Sequence, residues 1–99
     1  MRPLLMAAWH GNRDAVELLI NSGAKVTAVN KKQYGVIMCA ARNNRVDVVE
    51  YLISKLDNFD LEDVDFEGNT SLHQASLGGH YQIVKKLLGL GANPNAVNK

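Results

Sequence analysis

The segment Ser71-Leu72-His73-Gln74-Ala75-Ser76 has two counterparts earlier in the chain, Pro3-Leu4-Leu5-Met6-Ala7-Ala8 and Val36-Ile37-Met38-Cys39-Ala40-Ala41. The shared alanines lie 33 residues apart between the first and second segments and 35 apart between the second and third. A period near 33 residues with two helical stretches per unit is typical of a solenoid. Because a single unit cannot bury its own apolar face, we expect the function to reside on the surface that stacking creates.

Length and composition fit one soluble domain of 99 residues, with 46% hydrophobic and 21% charged residues. The formal net charge of +1 gives no general reason to expect nucleic acid or an anionic membrane as a partner. Residues 1–55 carry eight Lys or Arg against four acids, whereas residues 56–84 carry six acids and no Lys or Arg. Such runs usually form a solvated face, and the alternative is a partner surface of matching charge.

The single cysteine, Cys39, excludes an internal disulfide and fits a reducing compartment, so we expect the cytosol or the nucleus. No stretch approaches the ~18 apolar residues of a membrane span, and the first residues do not have the pattern of a signal peptide. One Cys and three scattered His show no zinc-ligand spacing, and no glycine-rich phosphate loop is present. We therefore expect no metal, cofactor or small-molecule substrate.

The third repeated unit shows its secondary structure most clearly. Residues 65–70 read as a turn in which Gly68 adopts a positive φ, and Thr70 can cap a helix that begins at Ser71. After a break at residues 78–80, a second helix is expected from about 81 to 89. Its apolar stripe has helical spacing and consists of Ile83, Val84, Leu87 and Leu88.

The second unit has the same helices with weaker signals at their ends. Gly35-Val36 replaces a capping Thr and a Pro, Asn44 replaces the helix-breaking glycine, and Gln33 replaces the turn glycine. The loop 55–63 is two residues longer than its counterparts. We expect this unit to be the most strained, and Gly35→Thr with Val36→Pro to raise stability by ~1–2 kcal/mol.

The pattern Asp65-x-x-Gly68-x-Thr70-x-Leu72-His73-x-Ala75, continued by Gly91-Ala92-Asn93-x-Asn95-Ala96, resembles the ankyrin repeat. The resemblance spans the single domain 1–99 as three units: 1–29, which lacks its finger, 30–64, and 65–97, with 98–99 beginning a further finger. It implies an all-α solenoid of stacked helix–turn–helix units with β-turn fingers. It also implies a protein-binding scaffold or adaptor without catalytic activity.

Residues 3–9 and 21–25 and the longer loop are also similar to the ankyrin array of ankyrin-repeat and death-domain proteins. This similarity implies that the chain is a segment of a longer array, and neither end shows the polar face of a capping repeat. We expect a monomer with some self-association through uncapped ends near Leu87 and Leu88.

The resemblance implies partner contacts at the exposed ends of the first helices and at the finger tips. The helix positions are Trp9, His10, Arg42, Asn43, Leu77 and Gly78; the finger positions are Lys31, Lys32, Tyr34, Phe66, Glu67 and Asn69, with Lys99 beginning the next finger. Trp, Tyr, Phe and Arg dominate the energetics of interfaces. We therefore expect a protein partner on the concave surface, and the alternative is a structural spacer of a larger array with no partner of its own.

Other roles are open for several of these residues. Trp9 can pack along the stem of Arg42 within the chain, and Tyr34 and Phe66 can each cover a neighbouring unit. Arg42 and the two finger lysines can form a basic patch for nucleic acid. Nucleic-acid binding through this patch would depend steeply on salt concentration, and so small a patch is not expected to show such a dependence.

Histidine and cysteine are assigned to structure. The resemblance places His73 in the slot of a histidine that bonds within its own repeat, and Cys39 falls on the packed side of a helix, where a thiol behaves as a small hydrophobe. No catalytic residue is expected. The segment around Asn95 resembles one in which ankyrin proteins are hydroxylated on the turn asparagine; the alternative is that Asn95 only hydrogen-bonds its own turn.

Overall fold

The computed structural model describes residues 2–55 and 61–97, and every regular element in these residues is a helix. The expected all-α class is therefore confirmed. Most of the longer loop of the second unit and the start of the last finger, including Lys99, lie outside the described residues. The six helices are α1 Pro3–Trp9, α2 Arg13–Asn21, α3 Val36–Arg42, α4 Val46–Lys55, α5 Ser71–Leu77 and α6 Tyr81–Gly89.

The helices form two rows. The first helices of the three units pack in the order α1, α3, α5, and the second helices pack in the order α2, α4, α6. Within each unit the two helices also pack on each other. Because α3 is covered by α1 on one side and α5 on the other, its residues Val36 to Ala41 are all buried. Stacking therefore builds the core that no single unit has.

The helix ends follow the signals in the sequence. Thr70 Oγ1 accepts a hydrogen bond from the His73 amide at 3.3 Å, and His73 Nδ1 accepts one from the Thr70 amide at 2.9 Å, which completes a capping box. Gly35, at the same position before α3, provides no side-chain cap. The predicted loss of a cap in the second unit is confirmed.

The local strain expected in the second unit is also present. Among the described residues, the non-glycine residues with positive φ are Gln33 at 67° and Asn44 at 57°, and both belong to this unit. Their counterparts in the third unit are glycines, Gly68 and Gly79, with φ of 80° and 70°. The second unit therefore adopts the same left-handed backbone conformation as the third at these two positions, but without glycine, the residue that adopts it most readily.

The apolar stripe of α6 is only partly in the core. Ile83 and Leu87 are fully buried, whereas Leu88 is 42% exposed. Leu88 is therefore the exposed member of this pair, and self-association through the ends stays a prediction.

Candidate functional site

The finger of the third unit is built around the carboxylate of Asp65. Its Oδ1 accepts hydrogen bonds from the backbone amides of Glu67 at 2.8 Å and Asn69 at 2.9 Å. The Asp65 amide in turn donates to the Asn69 carbonyl oxygen at 2.9 Å. These three bonds close the turn and leave Phe66 and Glu67 at its tip.

The finger of the second unit uses Asn30 in the same way. Asn30 Oδ1 accepts from the backbone amides of Lys32 at 2.9 Å and Tyr34 at 3.0 Å. The two fingers are joined directly, because the Phe66 amide donates to the Lys32 carbonyl oxygen at 3.1 Å. A basic finger and an acidic finger therefore lie side by side along one edge of the array.

Arg42, at the end of α3, is exposed but contacts three neighbouring side chains. Its guanidinium carbon lies 5.7 Å from the centre of the Trp9 ring and 5.8 Å from that of Tyr34, and Nη1 donates to Gln74 Oε1 at 3.2 Å. The Trp9 and Tyr34 rings stack with centroids 6.1 Å apart. The intramolecular role of Trp9 with Arg42 is thus present, although Trp9 remains partly exposed.

Gln74 connects this cluster to the acidic finger, and the sequence pattern did not single it out. Its Nε2 donates to Asp65 Oδ2 at 2.6 Å and lies 3.2 Å from the Tyr34 hydroxyl. Burial alone would raise the pKa of Asp65, but the hydrogen bonds from the Asn69 and Glu67 amides and from Gln74 outweigh burial and lower it below the ordinary value of 3.8. The carboxylate is therefore charged at neutral pH.

Two predicted contact residues are buried by this network. Tyr34 is 3% exposed, because its ring stacks on Trp9 and contacts the Arg42 guanidinium, and its hydroxyl accepts a hydrogen bond from Gln74. Asn69 is 5% exposed, because the Asp65 turn draws it inward. Both residues are therefore buried in the chain alone, and their contact with a partner stays a prediction.

The other predicted positions remain at the surface. Leu77 is 75% exposed and Phe66 is 50% exposed. Asn43 is half-buried and donates from Nδ2 to the Cys39 carbonyl oxygen at 2.9 Å, which caps the end of α3. The exposed polar positions are His10, Lys31, Lys32 and Glu67, with Gly78 exposed beside Leu77.

An open groove of about 840 Å³ lies between the start of α1 and the basic finger. It is lined by Arg2, Trp9, Val29, Asn30, Lys31, Lys32, Gln33 and Tyr34. The basic side chains of this groove are those of Arg2 and the two lysines, and Arg42 does not line it. The predicted patch of the two lysines with Arg42, which are all exposed, stays a prediction. Arg2 was not singled out, since a residue that precedes a helix gives no signal of the surface it faces.

The thiol of Cys39 and the imidazole of His73 both have structural roles. Burial raises the pKa of Cys39 to about 12, so that the thiol is protonated at neutral pH and is a poor nucleophile. His73 Nε2 donates to the Ala96 carbonyl oxygen at 2.8 Å, and its Nδ1 accepts from the Thr70 amide. These two bonds confirm the prediction of a histidine that bonds within its own repeat. Within residues 2–55 and 61–97, no group of three His, Cys, Asp or Glu could hold a metal ion.

The turn around Asn95 is exposed, and the Asn95 backbone amide donates to Asn93 Oδ1 at 2.9 Å. The side chain that folds back on this turn is therefore that of Asn93. Hydroxylation of Asn95 stays a prediction. In the part of the chain that the structure describes, no helix is long and apolar enough to cross a membrane.

Paired helices in two rows, with hydrogen-bonded fingers along one edge, define an all-α repeat solenoid. The chain belongs to the ankyrin-repeat family: the family model described as "Ankyrin repeats (3 copies)" matches residues 3–98.

Three relatives have similar sequences. The chain is 34% identical over 93 residues to human (Homo sapiens) Ankyrin repeat and SOCS box protein 3, covering 92% of this chain and 18% of that protein. It is 32% identical over 90 residues to Ankyrin repeat protein OPG189 of Variola virus, covering 87% of this chain and 15% of the relative. It is 32% identical over 95 residues to human Palmitoyltransferase ZDHHC17, covering 96% of this chain and 15% of that protein. The chain spans less than a fifth of the length of these relatives.

Proposed function

We propose that this chain is a protein-interaction module that binds a partner protein on its concave surface, at the ends of the first helices and the finger tips. The observation that carries the proposal is Leu77, a large apolar side chain that is 75% exposed at a partner-contact position of the family. Phe66, half exposed at the tip of the acidic finger, adds a second apolar contact. Burying exposed apolar side chains against a partner is favourable, and aromatic residues are enriched in interfaces.

The scaffold supports recognition by a rigid surface. The finger that presents Phe66 is closed by the Asp65 hydrogen bonds and tied to the neighbouring finger through Lys32. Side chains presented on a preformed backbone lose little conformational entropy on binding. The partner is expected in the cytosol or nucleus, with the module monomeric.

A non-catalytic role is part of the proposal. The buried thiol of Cys39, with its pKa near 12, is not an active nucleophile. Nucleic acid is not the proposed partner, because the formal net charge is only +1 and a basic patch as small as Lys31, Lys32 and Arg42 gives weak binding at physiological salt.

Affinity capture from a cell extract, with retained proteins identified by mass spectrometry, tests this function. The parent would be compared with Leu77→Ser, with Phe66→Ser, and with Leu18→Ser as a matched control. Leu18 is a leucine of similar exposure, 68%, but lies on the second helix of its unit. Trp9→Ala and Arg42→Ala are less suitable, because both residues also stabilise the array.

We expect proteins that the parent and Leu18→Ser retain and that Leu77→Ser and Phe66→Ser lose. Circular dichroism would confirm that all four proteins are folded. Equal capture by all four would place binding elsewhere, and empty captures by folded proteins would favour the structural spacer.

A further inference from the structure

We propose that the planar guanidinium of Arg42 binds a carboxylate of the partner protein, the side chain of an Asp or a Glu. The inference rests on the proposed protein-interaction function and names the chemistry of one contact within it. Arg42 is the last residue of α3, which packs between α1 and α5, and its side chain is exposed. Its surroundings are therefore set by the units on both sides of it.

The orientation of this guanidinium is fixed by residues from all three units. Its carbon lies 5.7 Å from the centre of the Trp9 ring, in the first unit, and 5.8 Å from that of Tyr34, in the second. Its Nη1 donates to Gln74 Oε1, in the third unit, at 3.2 Å. The two rings also stack on each other, and Tyr34 is buried. A guanidinium held in this way loses little conformational entropy when it binds an anion.

The buried carboxylate of Asp65 determines which atom of Gln74 faces Arg42. Gln74 Nε2 donates to Asp65 Oδ2 at 2.6 Å, and both side chains are buried. Because an ionised carboxylate only accepts hydrogen bonds, the amide must present its nitrogen to Asp65, and its oxygen is left for Arg42. Asp65 is thus bound by Gln74 and by the amides of its own turn, and it forms no ion pair with Arg42.

Most of the donors of Arg42 remain available to a partner. Arginine has about five N–H donors in a planar fork that matches the two oxygens of a carboxylate. Across residues 2–55 and 61–97, one hydrogen bond from this guanidinium is present, to Gln74, and no ion pair. Exposed ion pairs are usually weak, in part because two long side chains must be ordered. Here the contacts within the chain have already ordered one of them.

A carboxylate fits this site better than a phosphoryl group does. Proteins that recognise phosphorylated segments usually bind the phosphoryl group with a cluster of arginines. The groups that contact the Arg42 guanidinium are two aromatic rings and an amide. A single arginine held by uncharged groups matches the single negative charge of Asp or Glu.

Selection from a displayed library of random dodecapeptides on the parent protein tests the proposal. We expect the selected peptides to share an Asp or Glu at one position. The best peptide, with a fluorescent label, and a version with that acid replaced by its amide would be titrated against the parent, Arg42→Ala and Arg42→Lys. Arg13→Ala is the matched control, because Arg13 is also exposed and lies 5.8 Å from the centre of the Tyr51 ring, but in the row of second helices.

Replacing the acid by its amide should weaken binding to the parent and to Arg13→Ala about tenfold, the effect of one hydrogen bond between charged groups. The same replacement should have little effect on binding to Arg42→Ala. Arg42→Lys should bind the acidic peptide more weakly than the parent, since the lysine ammonium lacks the planar fork. A purely structural role of Arg42 would weaken both peptides equally, so the double-mutant cycle separates the two roles. Circular dichroism would verify that the variants are folded.

Selected peptides without a shared acid would overturn the proposal, as would equal losses for the acidic and amide peptides on Arg42→Ala. So would an Arg42→Lys variant that binds as tightly as the parent, or a phosphoserine peptide that binds more tightly than the acidic one, which would indicate a phosphate site. Any of these results, with capture of proteins still dependent on Leu77, would leave the proposed function standing. Capture that does not depend on Leu77 would instead count against the proposed function.

Discussion

The imidazole of His80 donates from Nε2 to the backbone carbonyl oxygen of Arg42, across the boundary between the third and second units, at 2.9 Å. One unit earlier, Arg45 holds the equivalent position and donates from Nε to the Trp9 carbonyl oxygen at 3.1 Å. The residue just before the second helix of a unit therefore donates to the end of the first helix of the preceding unit. This residue is a histidine in the third unit and an arginine in the second.

We expect His80→Ala to lower the free energy of unfolding by about 1 kcal/mol, because one hydrogen bond between units is lost. His80→Arg should recover much of the loss by forming the bond that Arg45 forms. Urea denaturation followed by circular dichroism measures both variants. If His80→Arg were no more stable than His80→Ala, the two slots would not be interchangeable.

Gly35→Thr should stabilise α3 by about 1 kcal/mol, because threonine can accept from the amide of Met38 as Thr70 does from that of His73. The extended backbone of Gly35, with φ of −85°, suits a capping residue, and an added Cβ would approach only the Ala28 carbonyl oxygen, at 4.0 Å. Gly35→Ala is the matched control, since it adds the Cβ without an acceptor. A melting temperature no higher for threonine than for alanine would mean that no cap forms.

Gln33→Gly should also stabilise the protein, by up to about 1 kcal/mol, since it places glycine where φ is 67°. Asn44→Gly should give a smaller gain, because asparagine tolerates the left-handed conformation better than glutamine. Thermal unfolding of the two variants tests this order. An equal or reversed gain would show that side-chain contacts of Gln33 outweigh its backbone strain.

Asp65→Asn should destabilise the protein at neutral pH by about 1.5–3 kcal/mol, because the charge-assisted bond from Gln74 is lost. Asparagine can still form the turn, as Asn30 does. The pKa of Asp65 in the folded protein lies below its ordinary value of 3.8, so its charged form stabilises the fold above pH 3.8 and this contribution is lost as pH falls through the lower, folded-state pKa. The gap between parent and variant should therefore narrow in acid, and a gap that is constant from pH 7 to pH 2 would contradict the assignment.

Cys39 should resist thiol reagents in the folded protein and react at once after denaturation, since its side chain is fully buried. Burial raises the pKa of Cys39 from 9.0 to about 12 in the folded protein. Between these two pH values the thiol ionises in the unfolded chain but not in the folded one, so the free energy of unfolding falls as pH rises above 9. Cys39→Ala should lack this part of the alkaline loss. Rapid labelling of the native protein at pH 8 would show that the site opens locally.

The fold could be predicted because its signals are local. Gly68 and Thr70 fixed the start of α5, and the apolar spacing of Ile83 and Leu87 indicated a helix over residues 81–89, which is the range of α6. Each of these signals acts within a few residues of the chain. The register of the units followed from them.

The site was predicted less completely, because its contacts join residues far apart in sequence. Gln74 meets Arg42 across 32 residues and Tyr34 across 40. Nothing near Tyr34 in the sequence shows that its ring turns inward. An aromatic residue in a turn looks the same in sequence whether a neighbouring unit or a partner covers it.

The basic finger, residues 30–34, lies beside the acidic finger, residues 65–69, and the two are joined through the Lys32 carbonyl oxygen. The edge of the array therefore has a polarity. A partner chain long enough to cross both fingers would place an acidic part on the basic finger and a basic part on the acidic finger. In the opposite direction, the same chain would meet like charge at both fingers. Under the proposed function, the order of the two fingers would thus set the direction in which a partner chain lies.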